Sequence, residues 1–225
     1  MIKNDFIKWV GIIVDGRVTR QNICSAAISL FNAKGYAGTS VREIAKKANV
    51  NISLISYYFN SKQGLLEHLM ESFFEGYIQI LEKAYELSER NSTRESIRYV
   101  ILELLKYQQE NSRLARFAHR ETTIDSVLTR EIMTVYLRQE KFYWQKLFEK
   151  GIQTGEFSHQ NIDFALIQLK AMLTMPFSNP QYVEEIFHIS PSKPYFIQKY
   201  SQFILHWLDE RFFKHENKKR QAIVG

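Results

Sequence analysis

What this chain of 225 residues lacks narrows its function first. It has a single cysteine, Cys24, which excludes an intrachain disulfide and a cysteine-based metal cage. The longest apolar run near the start, Trp9–Val14, is far short of the about 18 residues that a membrane helix needs. Asp5, Lys8 and Asp15 interrupt that start, and no small-residue cleavage site follows, so no signal peptide is expected. The six histidines, at 68, 119, 159, 188, 206 and 215, form no His-x-x-x-His pair that would hold a metal. Neither a Gly-rich phosphate loop nor a Gly-x-Ser-x-Gly nucleophile turn occurs. The expectation is a cytoplasmic protein, not an enzyme, with no cofactor, no metal and no place in the membrane.

What is present is unevenly charged. The net charge is +6. Residues 1–70 carry nine Lys/Arg against four Asp/Glu, whereas residues 71–225 carry 21 against 20. A basic first third that meets a polyanion, followed by a nearly neutral body, would give this pattern. A solvated surface with uneven charge would give it too.

No stretch alternates apolar and polar residues as a half-buried strand would, and helical spacing recurs instead. Ile23, Ala27, Leu30 and Phe31 mark one face of a helix over about 20–34, closed by Gly35. Cys24 lies beside that stripe and reads as an inert core thiol. Ser40 and Glu43 form a capping box ahead of Val41, Ile44, Ala45 and Ala48, and Asn49 can take the left-handed turn that ends this helix. Asn51 can cap a third helix running to about Tyr58, and Asn60 with Gln63 repeats the capping-box pattern before a fourth. Three short helices with a tight turn before the third describe a helix-turn-helix module. Longer helices are expected at about 62–88, 93–110, 112–121, 126–152, 161–175 and 195–214. All four prolines fall within 176–194, which reads as a connection with one helical turn at 183–187.

The segment "SAAISLFNAKGYAGTSVREIAKKANVNISLISYYFNSKQGLLEHLM" resembles the N-terminal domain of the TetR (TetR/AcrR) family of bacterial regulators, over about 18–70. "GIQTGEF" resembles a later turn of the family. The resemblance implies an all-α fold in four parts. These are an extension at 1–17, a three-helix DNA-binding domain at 18–62, a larger helical regulatory and dimerisation domain at 63–214, and a basic tail at 215–225. The extension lies outside the family pattern; either Val18 is the true start or the extension is real and flexible. Within the family, "TSVREIA", "ISYYF" and "LLEHLM" are most similar to the RefZ-type branch, the forespore-capture DNA-binding regulators of spore-forming bacilli. That narrower resemblance implies a nucleoid-associated role in cell division and chromosome positioning during sporulation, with a protein partner such as the division protein FtsZ. The broader one implies a repressor of transport or metabolic genes released by a small-molecule effector.

Roles in the reading head follow from the helix wheel. Val50, Ile55 and Phe59 should face the core, while Ile52, Ser53, Ser56 and Tyr57 lie opposite. An exposed isoleucine beside serines suits a major groove, where apolar groups meet the thymine methyl, and Leu54 can do the same. No Arg, Lys, Asn or Gln stands between Ile52 and Phe59, so Arg42 is the remaining base-edge candidate. Double-stranded DNA with an A·T-rich palindromic site is the expected ligand, read partly through its shape. Phosphate contacts are expected from Thr39, Ser40, Tyr58 and Lys62. Tyr57 and Tyr58 are expected on the groove side, the alternative being an aromatic packed against the first helix.

One reading helix covers only a few base pairs, so a homodimer is expected. Ile162, Leu166, Leu169 and Leu173 on one helix, with Ile197, Tyr200, Ile204 and Leu208 on another, offer its interface. Aromatics in the central helices read as core before pocket. Arg113, Arg116, Arg120 and Glu121 form either a partner surface or a solvated face.

Overall fold

A computed structural model of the chain describes residues 2–124, 126–159 and 161–213, with the backbone alone described at 2–15, 128, 132 and 133. The basic tail expected at 215–225 lies outside the described residues. The described residues fold into ten helices, α1 (Ile2–Lys34), α2 (Val41–Ala48), α3 (Ser53–Phe59), α4 (Lys62–Ser88), α5 (Thr93–Glu110), α6 (Ser112–Glu121), α7 (Val127–Gln153), α8 (Ile162–Ser178), α9 (Pro180–Phe187) and α10 (Pro194–Arg211). The fold is all-helical, as the periodicity predicts. Helix α1 starts at Ile2 and not near Arg20. Residues 2–19 hide this in the sequence because their apolar residues follow no single 3.6-residue stripe and two glycines interrupt them.

The chain divides into two compact units, with the boundary inside α4 at Phe73/Phe74. Residues 113–124, which hold most of α6, belong to the first unit. Ile23, Ala27, Phe31, Ile44, Ile55, Phe59, Leu65 and Phe117 are buried there, one or more from each of its helices. Leu30 at the edge of the α1 stripe is half-buried. Cys24 is half-buried too, and burial pushes its thiol up to about 11.

In the second unit, the "GIQTGEF" turn does three jobs. Gly155 takes a left-handed φ of 77°. Glu156 accepts the N–H groups of Thr93 and Arg94, each at 3.0 Å, and so caps α5. Phe157 packs so closely on Gly151 that a Cβ there would stand 2.6 Å from its ring. Helix α8 continues through Pro176, past the end near 175 that the proline suggested. Proline has no N–H, so the Met172 carbonyl one turn back loses its helical donor. The Tyr200 hydroxyl donates to it instead, at 2.9 Å, and Gln108 Nε2 donates to the next carbonyl, Leu173, at 3.1 Å. Helix α9 is likewise longer than the single turn expected, because Pro180 occupies its first turn, where a missing N–H costs nothing.

The stripe expected to meet a second subunit is largely the subunit's own core. Leu169, Leu173, Ile197, Ile204 and Leu208 are buried within this unit, and Ile162, Leu166 and Tyr200 are half-buried. A helix wheel finds the apolar arcs of α8 and α10 but not which arc the domain itself covers. The arc left open carries Phe164, 67% exposed, and Ile167, 65% exposed, with Met175 on the same side of α8. On α10 it carries Phe203, 74% exposed.

Replacing Tyr200 by Phe should destabilise the protein by about 1–2 kcal/mol, because the Met172 carbonyl then has no donor. In a Pro176→Ala background, which restores the helical N–H, the same replacement should cost much less. Urea denaturation of the four variants of this cycle measures the difference.

Candidate nucleic-acid interface

The reading helix α3 is held by its own turn chemistry and by a close approach. Asn49 ends α2 in the left-handed conformation, φ 55°, and its N–H and that of Val50 return to carbonyls of α2. Ser40 and Glu43 form the capping box at the start of α2. Lys34 Nζ stands 2.6 Å from Glu43 Oε1. That hydrogen bond, with the N–H and hydroxyl of Ser40, holds the Glu43 carboxyl down to about 2. At the far end of α3 the expected cap shifts by one residue. Asn60 closes α3 with φ 62°, and Ser61 Oγ, not Asn60, accepts the Gly64 N–H at 3.0 Å to start α4. A Cβ at Gly64 would lie 2.1 Å from the Phe59 carbonyl oxygen, so only glycine lets the two helix ends approach so closely.

The two faces of α3 separate as the wheel predicts. Ile55 and Phe59 are buried and Val50 is half-buried. Tyr57 is 76% exposed, Ile52 is 44% exposed, and Ser53 and Ser56 are open to solvent. Leu54 is half-buried at the edge of this face, and Arg42 and Ser40 are exposed on α2 and its cap. Tyr58 takes the packing role: it is half-buried, and its hydroxyl stands 3.2 Å from where a Cβ of Gly16 on α1 would be.

Two residues expected on phosphate are turned inward. Thr39 is 2% exposed, and its hydroxyl donates to the Gly35 carbonyl at 2.8 Å. Lys62 donates to the carbonyls of Tyr36 and Thr39, both at 2.9 Å, with its ammonium 4.2 Å from the centre of the Tyr36 ring. Both therefore build the α1–α2 turn. Sequence spacing cannot reveal this, because the carbonyls that hold Lys62 come from residues more than 20 positions away. The charged run on α6 is also partly consumed. Arg120 donates to the carbonyls of Phe31 and Asn32 at the end of α1, Glu121 is buried, Arg116 is half-buried, and Arg113 alone of the four is exposed.

Lys62→Ala should lower stability by about 1–3 kcal/mol, because the carbonyls of Tyr36 and Thr39 both lose its ammonium and that of Tyr36 keeps only the Thr39 N–H, at 3.3 Å. Its effect on DNA affinity should vanish at temperatures well below the variant's melting point. Paired melting curves and binding isotherms at several temperatures would show this, whereas a lost phosphate contact would weaken binding at every temperature.

A basic first unit that presents one short, exposed helix from a turn-capped frame is the arrangement of a groove reader. Comparison with known proteins agrees. The profile of "Bacterial regulatory proteins, tetR family" matches residues 23–69. The chain is 43% identical over 194 residues to "Probable HTH-type transcriptional regulator YttP" of Bacillus subtilis (strain 168), covering 86% of this chain and 94% of that one. Its fold is similar to the ketosteroid transcriptional regulator KstR2 of Mycobacterium tuberculosis, with TM-score 0.71 at 15% identity over 87% of this chain and 95% of that one. It is also similar to the TetR family regulator PfmR of Thermus thermophilus, with TM-score 0.67 at 20% identity over 82% of this chain and 97% of that one. The chain belongs to the TetR family of helix-turn-helix transcriptional regulators.

Proposed function

We propose that this regulator is a homodimeric, sequence-specific DNA-binding protein of the RefZ type, acting on cell division and chromosome positioning during sporulation. The observation that carries the DNA-reading part is the open face of Ile52, Ser53, Ser56 and Tyr57 on a helix pinned from behind by Ile55 and Phe59. Arg42 and Ser40 flank it, and Leu54 adds apolar surface at its edge. Ile52 beside two serines favours thymine methyls, hence an A·T-rich palindromic site. The narrower, RefZ-type role rests on the likeness carried by "TSVREIA", "ISYYF" and "LLEHLM". It brings FtsZ as the proposed protein partner.

A seven-residue reading helix spans few base pairs, so two copies are needed for a site of useful length. We place the second copy on the open arc of α8 and α10, at Phe164, Ile167, Met175 and Phe203. Replacing Ile167 and Phe203 together by Glu should leave a folded monomer with weakened operator binding. Sedimentation at micromolar concentration measures it, and a wild-type monomer would overturn the dimer.

A second reading is favoured by one feature of the body. A groove of about 550 Å³ between α7 and α8 is lined by Leu137, Trp144, Leu166 and Ile167, with Glu140 and Lys170 among its polar groups. Lys170 is bound to both oxygens of the buried Glu140 at 2.7 Å. Apolar walls with a few fixed polar groups suit a small-molecule effector, as in a ligand-responsive repressor. Mapping of bound sites across the genome separates the two readings. A few A·T-rich sites around the replication origin are expected for the first. A single site beside a transport or metabolic gene would replace it by the second, and a site dominated by G·C pairs would overturn the base preference.

A further inference from the structure

The reading helix itself contains no amide side chain, but the residue ahead of Ile52 supplies one, and its orientation is fixed by what it touches. Asn51 Oδ1 accepts the backbone N–H of Ser53 at 2.9 Å and stands 2.8 Å from Ser53 Oγ. A backbone N–H can only donate, so the amide atom that faces it is the oxygen. That oxygen can only accept, so the Ser53 hydroxyl hydrogen lies between Oγ and Oδ1. The hydroxyl has thereby spent its one hydrogen and offers lone pairs alone. Asn51 Nδ2 keeps two hydrogens, and no side chain or carbonyl among the described residues takes them. Both side chains are exposed, on either side of the exposed Ile52.

We propose that Asn51 and Ser53 form a composite reader of adenine in the major groove, resting on the DNA-reading function proposed above. Adenine presents the acceptor N7 beside the donor N6–H₂, whereas guanine presents two acceptors, N7 and O6. Asn51 Nδ2 donates to N7 and Ser53 Oγ accepts from N6. Against guanine the same Oγ faces O6, lone pair to lone pair. An unrestrained serine hydroxyl could rotate to suit either purine; with its hydrogen held by Asn51 it cannot do so without breaking that bond. A G·C pair does offer an acceptor beside a donor where guanine O6 meets cytosine N4, but it carries no methyl group. Ile52, which lies between the two in sequence and is itself exposed, gains its apolar contact only on an A·T pair. The pair thus performs, with two side chains, the discrimination that a single bidentate Asn or Gln performs in other readers.

The test is selection of bound duplexes from a randomised pool by the full chain and by Asn51→Ser and Ser53→Ala. Asn51→Ser retains an oxygen to accept the Ser53 N–H but loses the amide donors, and melting temperatures confirm that both variants fold. The wild type should enrich one adenine per half-site at a position where Asn51→Ser, which loses the donor to N7, lowers the preference for purine over pyrimidine about tenfold. Ser53→Ala should admit guanine at that same position. Replacing that adenine by 7-deazaadenine should weaken the wild type about tenfold and scarcely affect Asn51→Ser. An enriched site that survives both substitutions unchanged overturns the composite reader and leaves the DNA-reading function standing. So does a loss of affinity equal for every sequence, which marks a phosphate contact. A wild-type chain that enriches no sequence overturns both.

Discussion

The first unit depends on how the C-terminal end of α1 is closed. A helix leaves its last carbonyls without intrahelical donors, and their partial negative charge attracts cations. Two side chains remote in sequence meet that need. Arg120 takes the carbonyls of Phe31 and Asn32, and Lys62 takes those of Tyr36 and Thr39 in the turn that follows. Gly35 supplies the left-handed residue that turns the chain. Phe31 stacks on Phe117 with ring centres 5.2 Å apart, so α6 reaches the same helix end through packing as well as hydrogen bonds. The turn so fixed delivers Ser40, its capping box and α2, and α2 in turn delivers the reading helix.

How much of this is legible in the sequence depends on the range of the interaction. The capping box of Ser40 and Glu43, the left-handed Asn49 and the Gly35 stop are all completed within a few residues, and each stands where its local pattern puts it. The cap at Asn60 is ambiguous in sequence because two residues that can cap, Asn60 and Ser61, adjoin, and the choice between them depends on the backbone of Asn60. The inward roles of Thr39, Tyr58 and Lys62 are not legible. Each is a polar or amphipathic side chain that could serve either a groove or a turn, and only the fold decides. Helix α8 illustrates the same limit for apolar residues, since its wheel has two apolar arcs and its own domain covers the one that looks like an interface.

The reading face itself has an uneven chemistry. Its apolar members, Ile52 and Leu54, cannot discriminate strongly alone, and its serines are short. Its discrimination therefore depends on constraint more than on reach, with backbone and side-chain hydrogen bonds deciding which atoms are left to face DNA. In the body the same economy holds at Pro176. A helix-breaking residue is retained because Tyr200 and Gln108 donate to the carbonyls around it, which ties α8 to α10 and α5.

The contact at Gly64 sets a mechanical limit. With the Phe59 carbonyl standing where a Cβ would be, the last turn of α3 and the first turn of α4 have no slack between them. The reading helix cannot gain a residue at its C-terminal end, nor slide along its axis, unless α4 gives way at its start. Evolution of a new operator preference in this protein is thereby channelled into side-chain exchange on the open face of α3, with the helix itself held at constant length.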